Sequence, residues 1–141
     1  MAPTLDTRVD AALTELEEMK ATRDDLWNIT WEAGKLLRIL VLSAGARNVL
    51  EIGMSNGFST MWLADAARAN GGTVTSLEVE PYKVEMATAA FEKAGLSDTI
   101  TVRLGDGKDT LASLKGPYDF VFLDAWKGDY ITYLQAVTPL L

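Results

Sequence analysis

The residues best suited to binding a ligand form a glycine-containing turn near the middle of the sequence. Residues 51–59 read EIGMSNGFS and follow an apolar run that predicts a buried strand. Glycine lets the backbone turn sharply and approach a ligand closely, and the N–H groups of the helix predicted next can face an anion. Because open α/β sheets bind ligands beyond the carboxyl ends of their strands, this turn is a candidate binding site.

The spacing of the turn is compatible with several kinds of site. Gly53, Ser55 and Gly57 fit the G-x-S-x-G pattern of a nucleophile elbow, but the sequence has no histidine, so that interpretation fails unless a further segment supplies one. A dinucleotide fingerprint requires glycine where Ser55 stands. A nucleoside cofactor with an amino-acid portion would explain the acid at Glu51, which could face the ammonium group of such a ligand. A tight turn without any ligand is the remaining alternative.

Glu78 lies at the carboxyl end of the second predicted strand, the position from which an acid can accept the hydroxyls of a ribose. It follows the glycines at about the distance expected for that role. A solvated strand end is the alternative for an isolated acid. The combination with the glycine turn favours ribose binding.

Composition removes several function classes. The absence of His and Cys excludes Ser-His-Asp and Cys-His catalysis, zinc held by imidazole or thiolate, and disulfides. Any catalysis must therefore use carboxylates, Lys, Tyr, hydroxyls or a bound cofactor. Any metal would have oxygen ligands, which favours Mg²⁺, Ca²⁺ or Mn²⁺. The net charge of −7 argues against nucleic acid or an anionic membrane as partner. The N-terminus lacks a signal-peptide pattern, no stretch approaches a membrane span, and we expect a cytoplasmic location.

Strand and helix patterns alternate along most of the sequence. Strands are predicted over 48–53, 73–79, 100–104 and 118–124, and helices over 59–69, 81–94, 108–114 and 130–137. This alternation predicts an α/β fold with a doubly wound parallel sheet. We expect a single domain over 1–141, with N-terminal helices in 1–46 and a βαβ core in 47–141.

Two N-terminal helices precede this core in the prediction. Val9, Leu13, Leu16 and Met19 form the apolar stripe of a surface helix that could dock or dimerise. The run over 32–42 predicts a helix buried on most sides.

The last predicted strand, over 118–124, is so apolar that it should be covered on both faces and paired on both edges. We therefore expect the chain to be the front part of a larger domain, with C-terminal strands missing, or to complete its sheet through a partner. A complete four-stranded domain with this strand at its edge is the alternative.

Two motifs carry a resemblance to a known family. Residues 48–66 are similar to motif I of class I S-adenosylmethionine-dependent methyltransferases. The run YDFVFLDAWK over 118–127 resembles a later motif of the cation-dependent O-methyltransferases that act on catechols and caffeoyl-CoA, and its Asp-x-Trp-Lys spacing leans toward the catechol type. The resemblance extends from about Trp27 to the end of the chain and implies the Rossmann-like fold of this family.

The resemblance implies a cofactor site for S-adenosylmethionine (SAM). Its predicted members are Ile29, Glu51, Gly53, Met54, Ser55, Gly57, Ser59, Glu78, Asp106 and Gly107. In this assignment Glu51 and Gly53 lie against the methionine end, near the backbone of Met54 and Ser55. Ser59 binds its carboxylate and Glu78 holds the ribose. Gly57 allows close approach, Asp106 and Gly107 border the adenine, and the backbone of Ile29 contacts the methionine portion.

The resemblance also implies a reaction. Asp124 matches the first ligand of a divalent cation such as Mg²⁺, Lys127 the general base and Trp126 a wall beside the substrate. The family completes its metal site with an Asp-Asn pair on a next strand, which this sequence does not contain. The implied function is methyl transfer to a hydroxyl of a small catechol-like aromatic by a homodimer. Alternatives are a catalytically incomplete module that binds cofactor or dimerises, and an NAD-dependent oxidoreductase.

Overall fold

A single parallel sheet forms the centre of the molecule. The computed structural model describes residues 3–141, so Met1 and Ala2 of the predicted domain lie outside it. Within that range the strands are β1 (Asn48–Ile52), β2 (Thr73–Glu78), β3 (Ile100–Leu104) and β4 (Phe120–Leu123). They pair in parallel in the order β3-β2-β1-β4, with Leu50 opposite Thr75 and Val121. The predicted α/β fold with a parallel sheet is confirmed.

Helices cover both faces of this sheet. They are α1 (Thr7–Lys20), α2 (Trp31–Ala44), α3 (Phe58–Ala69), α4 (Pro81–Ala94), α5 (Gly107–Ser113) and α6 (Tyr130–Val137). Short 3-10 turns follow at Lys127–Asp129 and Thr138–Leu140. On one face of the sheet, the four helices α1, α2, α3 and α4 pack against the strands in one hydrophobic core. On the other face, α5 and α6 pack against the strands in a second, smaller core. In residues 3–141 no helix has both the length and the apolar character needed to cross a membrane.

The enclosed helix α3 connects the sheet to the outer helices. Ten of its twelve residues are buried. Trp62 packs edge-on against Trp31 of α2 at 5.2 Å between ring centroids. A side chain at Gly34 would collide with the Trp62 ring, so glycine there permits the close packing of α2 on α3. The buried Asp65 of α3 pairs with the half-buried Arg38 of α2 at 2.8 Å.

The outer helices differ in how they use their apolar residues. The predicted stripe of α1, including Val9, Leu13 and Leu16, is buried in the core of this same chain. The expectation that α2 is buried on most sides is wrong, since Leu36 and Ile39 are each 55% exposed. Its buried residues, such as Leu37, follow helical spacing on one face only.

The strand β4 is shorter than the sequence predicted and lies at one edge of the sheet. The side chain of Asp119, just before it, accepts hydrogen bonds from the backbone N–H groups of Arg47 and Asn48, both at 2.9 Å. These bonds fasten the start of β4 to the start of β1. All four residues of β4 are half-buried, and within residues 3–141 it pairs with β1 alone.

Candidate functional site

A cavity of about 880 Å³ opens at the carboxyl ends of the strands. The helix after β1 packs on one face of the sheet, and the helix after β4 packs on the other. Because the chain leaves the adjacent strands β1 and β4 toward opposite faces of the sheet, a crevice forms between their carboxyl ends. Open α/β sheets bind ligands at such a reversal point. Each strand contributes to the wall at or just after its end, through Gly53, Glu78, Gly105 and Asp124.

The glycine turn after β1 is closely packed. Gly53 and Gly57 have φ values of +100° and +92°, which residues with a side chain rarely adopt. A Cβ at Gly53 would collide with the carbonyl oxygen of Asp124. The N–H groups of Gly53 and Met54 both donate to the carbonyl oxygen of Leu77 at 3.0 Å. These two amides are therefore committed to the sheet and are not free for a ligand.

Glu78 connects the turn to the cavity. Its side chain accepts hydrogen bonds from the backbone N–H groups of Ser55, at 2.7 Å, and of Val79 and Glu80, at 3.0 and 3.1 Å. An ionised carboxylate has roughly four lone-pair sites, so about one remains for a ligand. Glu78 is mostly buried and lines the cavity. It thus shapes the turn and keeps capacity for one ribose hydroxyl rather than the two that the sequence suggested.

Glu51 lies behind the turn with a fully buried carboxyl group. It accepts hydrogen bonds from the hydroxyls of Ser59, at 2.5 Å, Ser76, at 2.6 Å, and Thr60. Burial raises the pKa of Glu51 to about 7, although the three hydroxyl bonds oppose that shift. Glu51 links β1, β2 and the first turn of α3, and it does not line the cavity. The Ser59 hydroxyl, which the resemblance assigns to the cofactor carboxylate, donates its hydrogen bond to Glu51 instead.

The structure brings most of the predicted site residues together. Those lining the cavity are Gly53, Ser55, Glu78, Asp106, Gly107, Asp124, Trp126 and Lys127. Those it does not bring to the wall are Ile29, Glu51, Met54, Gly57 and Ser59. Ser55 lines the cavity, but its Oγ atom is buried and has no hydrogen-bond partner within the described residues. The individual roles stay predictions.

The residues after β4 form the side of the cavity assigned to metal and acceptor. The N–H of Asp124 donates to the carbonyl oxygen of Ile52 at 2.9 Å, and burial raises the pKa of its carboxyl group. Trp126 is 73% exposed, and Lys127 is exposed beside it. In the part of the chain that the structure describes, no three Asp, Glu, His or Cys side chains cluster as metal ligands. A lone carboxylate does not fit a protein-held Mg²⁺.

Sequence reasoning missed several residues of the cavity wall. Asp24, Asp25 and Trp27 reach it from the segment between α1 and α2. Arg23 pairs with Asp25 at 2.6 Å and holds this segment in place together with Tyr82 of α4. No local pattern indicates such a placement, because it depends on how α1 and α4 pack.

On α4 and α6 the missed wall residues are Lys83, Tyr130 and Tyr133. Lys83 could have been found, since it lies in the first turn of the helix after β2, close to the ligand-binding edge of the sheet. A Cβ at Gly107 would come within 2.9 Å of the Tyr133 ring, which explains glycine at that position.

The fold and the cavity together define a class, the doubly wound α/β proteins with a ligand crevice at the reversal point of the sheet. Within that class a family model described as O-methyltransferase matches residues 6–141, and the chain belongs to this family. The predicted family resemblance is confirmed. The alternative of an NAD-dependent oxidoreductase is left without support.

Named relatives agree with this membership. A catechol O-methyltransferase of Mycobacterium tuberculosis is 43% identical over 108 residues, which cover 76% of this chain and 49% of that protein. A caffeoyl-CoA O-methyltransferase of Zea mays is 30% identical over 143 residues, covering 95% of this chain and 54% of that protein. The chain spans about half the length of these curated relatives.

A solved structure supports the fold as well. The O-methyltransferase from Bacillus cereus in complex with SAH matches with a TM-score of 0.82 at 32% identity. The match covers 99% of this chain and 63% of that one.

Proposed function

We propose that the cavity binds SAM for transfer of its methyl group to a hydroxyl of a small catechol-like aromatic. The observation that carries the proposal is the wall at the reversal point of the sheet. There the Glu78 carboxylate lines the cavity and keeps acceptor capacity beyond its three backbone hydrogen bonds. Membership of the O-methyltransferase family supports the reaction class.

The cavity residues have the chemistry that this cofactor needs. Glu78 accepts a hydrogen bond from a ribose hydroxyl. Asp106 and Gly107, after β3, border the adenine. Ile52 and Leu77 supply apolar wall that excludes water. When bound, SAM supplies a methyl group activated by its positively charged sulfur.

The acceptor lies on the β4 side in this proposal. Trp126 packs against the aromatic ring, and the Nζ atom of Lys127 accepts the hydroxyl proton. Both residues line the cavity within three positions of Asp124, so the proton acceptor and the ring contact share one turn of chain. Holding the acceptor oxygen near the methyl group then provides much of the catalysis.

A second candidate function is favoured by one specific observation, the single carboxylate at the position of the metal. In this second candidate the chain binds SAM without turning it over. Two measurements on the same preparation separate the candidates. The first is calorimetric titration with S-adenosylhomocysteine (SAH), and the second is mass spectrometric detection of methylated 4-methylcatechol after incubation with SAM and Mg²⁺. Binding with product supports methyl transfer, binding without product supports the module, and no binding contradicts both.

Glu78→Gln tests the cofactor assignment. We expect SAH affinity to fall about tenfold or more, because an amide N–H₂ cannot accept the hydrogen bonds that the carboxylate accepts. Glu80→Gln is the matched control, since Glu80 also lines the cavity but its side chain is exposed. Equal SAH affinity for Glu78→Gln and wild type would remove Glu78 from the ribose site. A thermal melt of each variant verifies that the fold is intact.

A further inference from the structure

The chain segments that follow β3 and β4 meet, although their strands lie at opposite edges of the sheet. The strand order β3-β2-β1-β4 separates these two strands by about 14 Å, which is three spacings between neighbouring strands. The segment after β3 continues into α5, and the segment after β4 continues through the turn Lys127–Asp129 into α6. The two helices pack together in the smaller core. Side chains from opposite edges of the sheet can therefore contact each other.

An ion pair joins the two segments. The Nζ atom of Lys108 lies 3.1 Å from the Oδ1 atom of Asp129. Asp129 stands at the N-cap of α6, where an aspartate side chain usually accepts a hydrogen bond from the helix backbone. Within the described residues its carboxylate makes no such capping bond and pairs with Lys108 instead. The hydrogen bond with Asp129 is also the first cause that raises the pKa of Lys108.

The backbone attaches each member of this pair to the wall of the cavity. The N–H of Lys108 donates to the side chain of Asp106 at 2.8 Å, so Lys108 is tied to the wall segment after β3. The N–H of Asp129 donates to the carbonyl oxygen of Trp126 at 3.0 Å, next to Lys127 in the same turn. The ion pair thus links two parts of the wall that belong to different strands.

A second contact lies beside the ion pair. The ring of Tyr133 on α6 packs so closely on Gly107 of α5 that a Cβ there would come within 2.9 Å of it. The pKa of Tyr133 is raised first by burial and then by the carboxylates of Asp106 and Asp129, because both are close to its hydroxyl. We name Gly107, Lys108, Asp129 and Tyr133 the bridging cluster.

From this arrangement we propose that Lys108 and Asp129 are positioning residues, which couple the adenine side of the cavity to the turn that carries Lys127. Their role rests on the proposed function, which places the adenine beside Asp106 and Gly107 and the proton acceptor at Lys127. A ligand that orders the segment after β3 fixes Lys108, and the ion pair then holds the turn after β4. Two sites are coupled when both bias the arrangement of one shared element. Here that element is the bridging cluster.

The exposure of the pair limits the size of this coupling. Both side chains are partly exposed, and ion pairs of that kind contribute little to stability, since water and salt screen them. Coupling carried by such a pair should not exceed about fivefold, the factor that corresponds to its largest usual contribution. Loss of the pair should therefore leave the fold intact and change only how Lys127 responds to a ligand on the other side.

Chemical labelling of Lys127 tests the proposal without requiring turnover. A trace amount of acetic anhydride acetylates at most one lysine in each chain, and mass spectrometry follows the rate at Lys127. The rate is compared with and without saturating adenosine, whose binding is verified by competition with SAH in calorimetry. Adenosine lacks the methionine portion of SAM and leaves the Lys127 side of the cavity open. We expect adenosine to slow the labelling of Lys127 by about threefold in wild type.

Two double variants that preserve the net charge provide the matched comparison. In K108Q/D129N adenosine should slow labelling of Lys127 by less than about 1.5-fold, whereas K108R keeps the ion pair and should keep the wild-type response. The control E15Q/K93Q removes an exposed ion pair of 2.8 Å that joins α1 to α4 and does not line the cavity. It should also keep the wild-type response. Urea unfolding of both double variants should show similarly small losses of stability.

The outcomes separate this proposal from the proposed function. Failure of SAH to bind would contradict the proposed function, and the positioning role would fall with it. Binding of SAH without competition from adenosine would remove the adenine from the segment after β3 and overturn the positioning role. Adenosine that leaves the labelling of Lys127 unchanged in wild type would overturn it alone. An equal response of wild type, K108Q/D129N and the control would do the same.

Discussion

Replacing the buried Glu51 should remove a large pH dependence of stability. Glu51 is fully buried, and its carboxyl group accepts hydrogen bonds from three hydroxyls. Burial raises its pKa from the ordinary 4.5 to about 7. In Glu51→Gln the side chain keeps its size and loses the titration, so the variant isolates the contribution of this proton.

The size and the sign follow from linkage. Between pH 4.5 and about 7 the folded protein keeps a proton on Glu51 that the unfolded chain has released. Stability contributed by this proton is present below the unfolded pKa and is lost as the pH rises through the folded pKa. Since one unit of pKa corresponds to about 1.4 kcal/mol, the full effect is roughly 3 kcal/mol. Most of it, roughly 2 to 3 kcal/mol, falls between about pH 5 and pH 8.

The assay is urea unfolding of wild type and variant across that pH range. The free energy of unfolding of wild type minus that of Glu51→Gln should fall by roughly 2 to 3 kcal/mol from pH 5 to pH 8. Glu92→Gln is the control, because its exposed carboxyl group should leave the profile parallel to that of wild type. A stability difference between wild type and Glu51→Gln that stays constant across this pH range would show that Glu51 titrates alike in the folded and unfolded states. It would contradict the raised pKa of Glu51.

Three further predictions concern the glycine turn after β1, the packing of α2 on α3, and Lys127 as the proposed base. Gly53→Ala should destabilise the fold by about 2 kcal/mol or more and weaken SAH binding, because the alanine Cβ would collide with the Asp124 carbonyl at a φ that alanine rarely adopts. Urea unfolding measures the loss of stability, and calorimetry measures the loss of SAH affinity. Wild-type values for both would contradict the role of Gly53 in the turn. Asp65→Ala should lower the free energy of unfolding in urea by roughly 3 kcal/mol, since it leaves the half-buried Arg38 without its ion-pair partner. A decrease below about 1 kcal/mol, which is typical of exposed ion pairs, would contradict this expectation. Lys127→Met should abolish methylation of 4-methylcatechol while leaving SAH affinity unchanged, and retained product formation would exclude Lys127 as the base.

Much of the fold could be predicted because its signals are local. Pro81 stands in the first turn of α4 and Gly95 ends it with a φ of +71°, as helix boundaries typically do. The location of the glycine turn likewise follows from strand and helix patterns on either side. The exposed half of α2 could not be predicted, because the run around Leu36 and Ile39 is apolar at almost every position. Only the packing of α2 on α3 decides which of its faces is buried.

In the candidate site, too, positions set by local sequence patterns could be predicted, and positions set by tertiary packing could not. The spacing of Gly53 and Glu78 placed both at the ligand-binding edge, which the structure bears out in position. The hydroxyl partners of Glu51 lie on other elements, so nothing in the sequence near Glu51 indicates that its carboxyl group is enclosed. The side chain of Asp24 reaches the cavity through the packing of a loop without regular structure.

The most direct test of the central claim is calorimetric titration of this chain with SAM, with and without Mg²⁺, beside a titration with NAD. We expect saturable one-to-one binding of SAM that Mg²⁺ does not change, because no cluster of metal ligands lies within residues 3–141. We expect no saturable binding of NAD. Absence of saturable SAM binding, or NAD binding of comparable affinity, would contradict the assignment of the cavity.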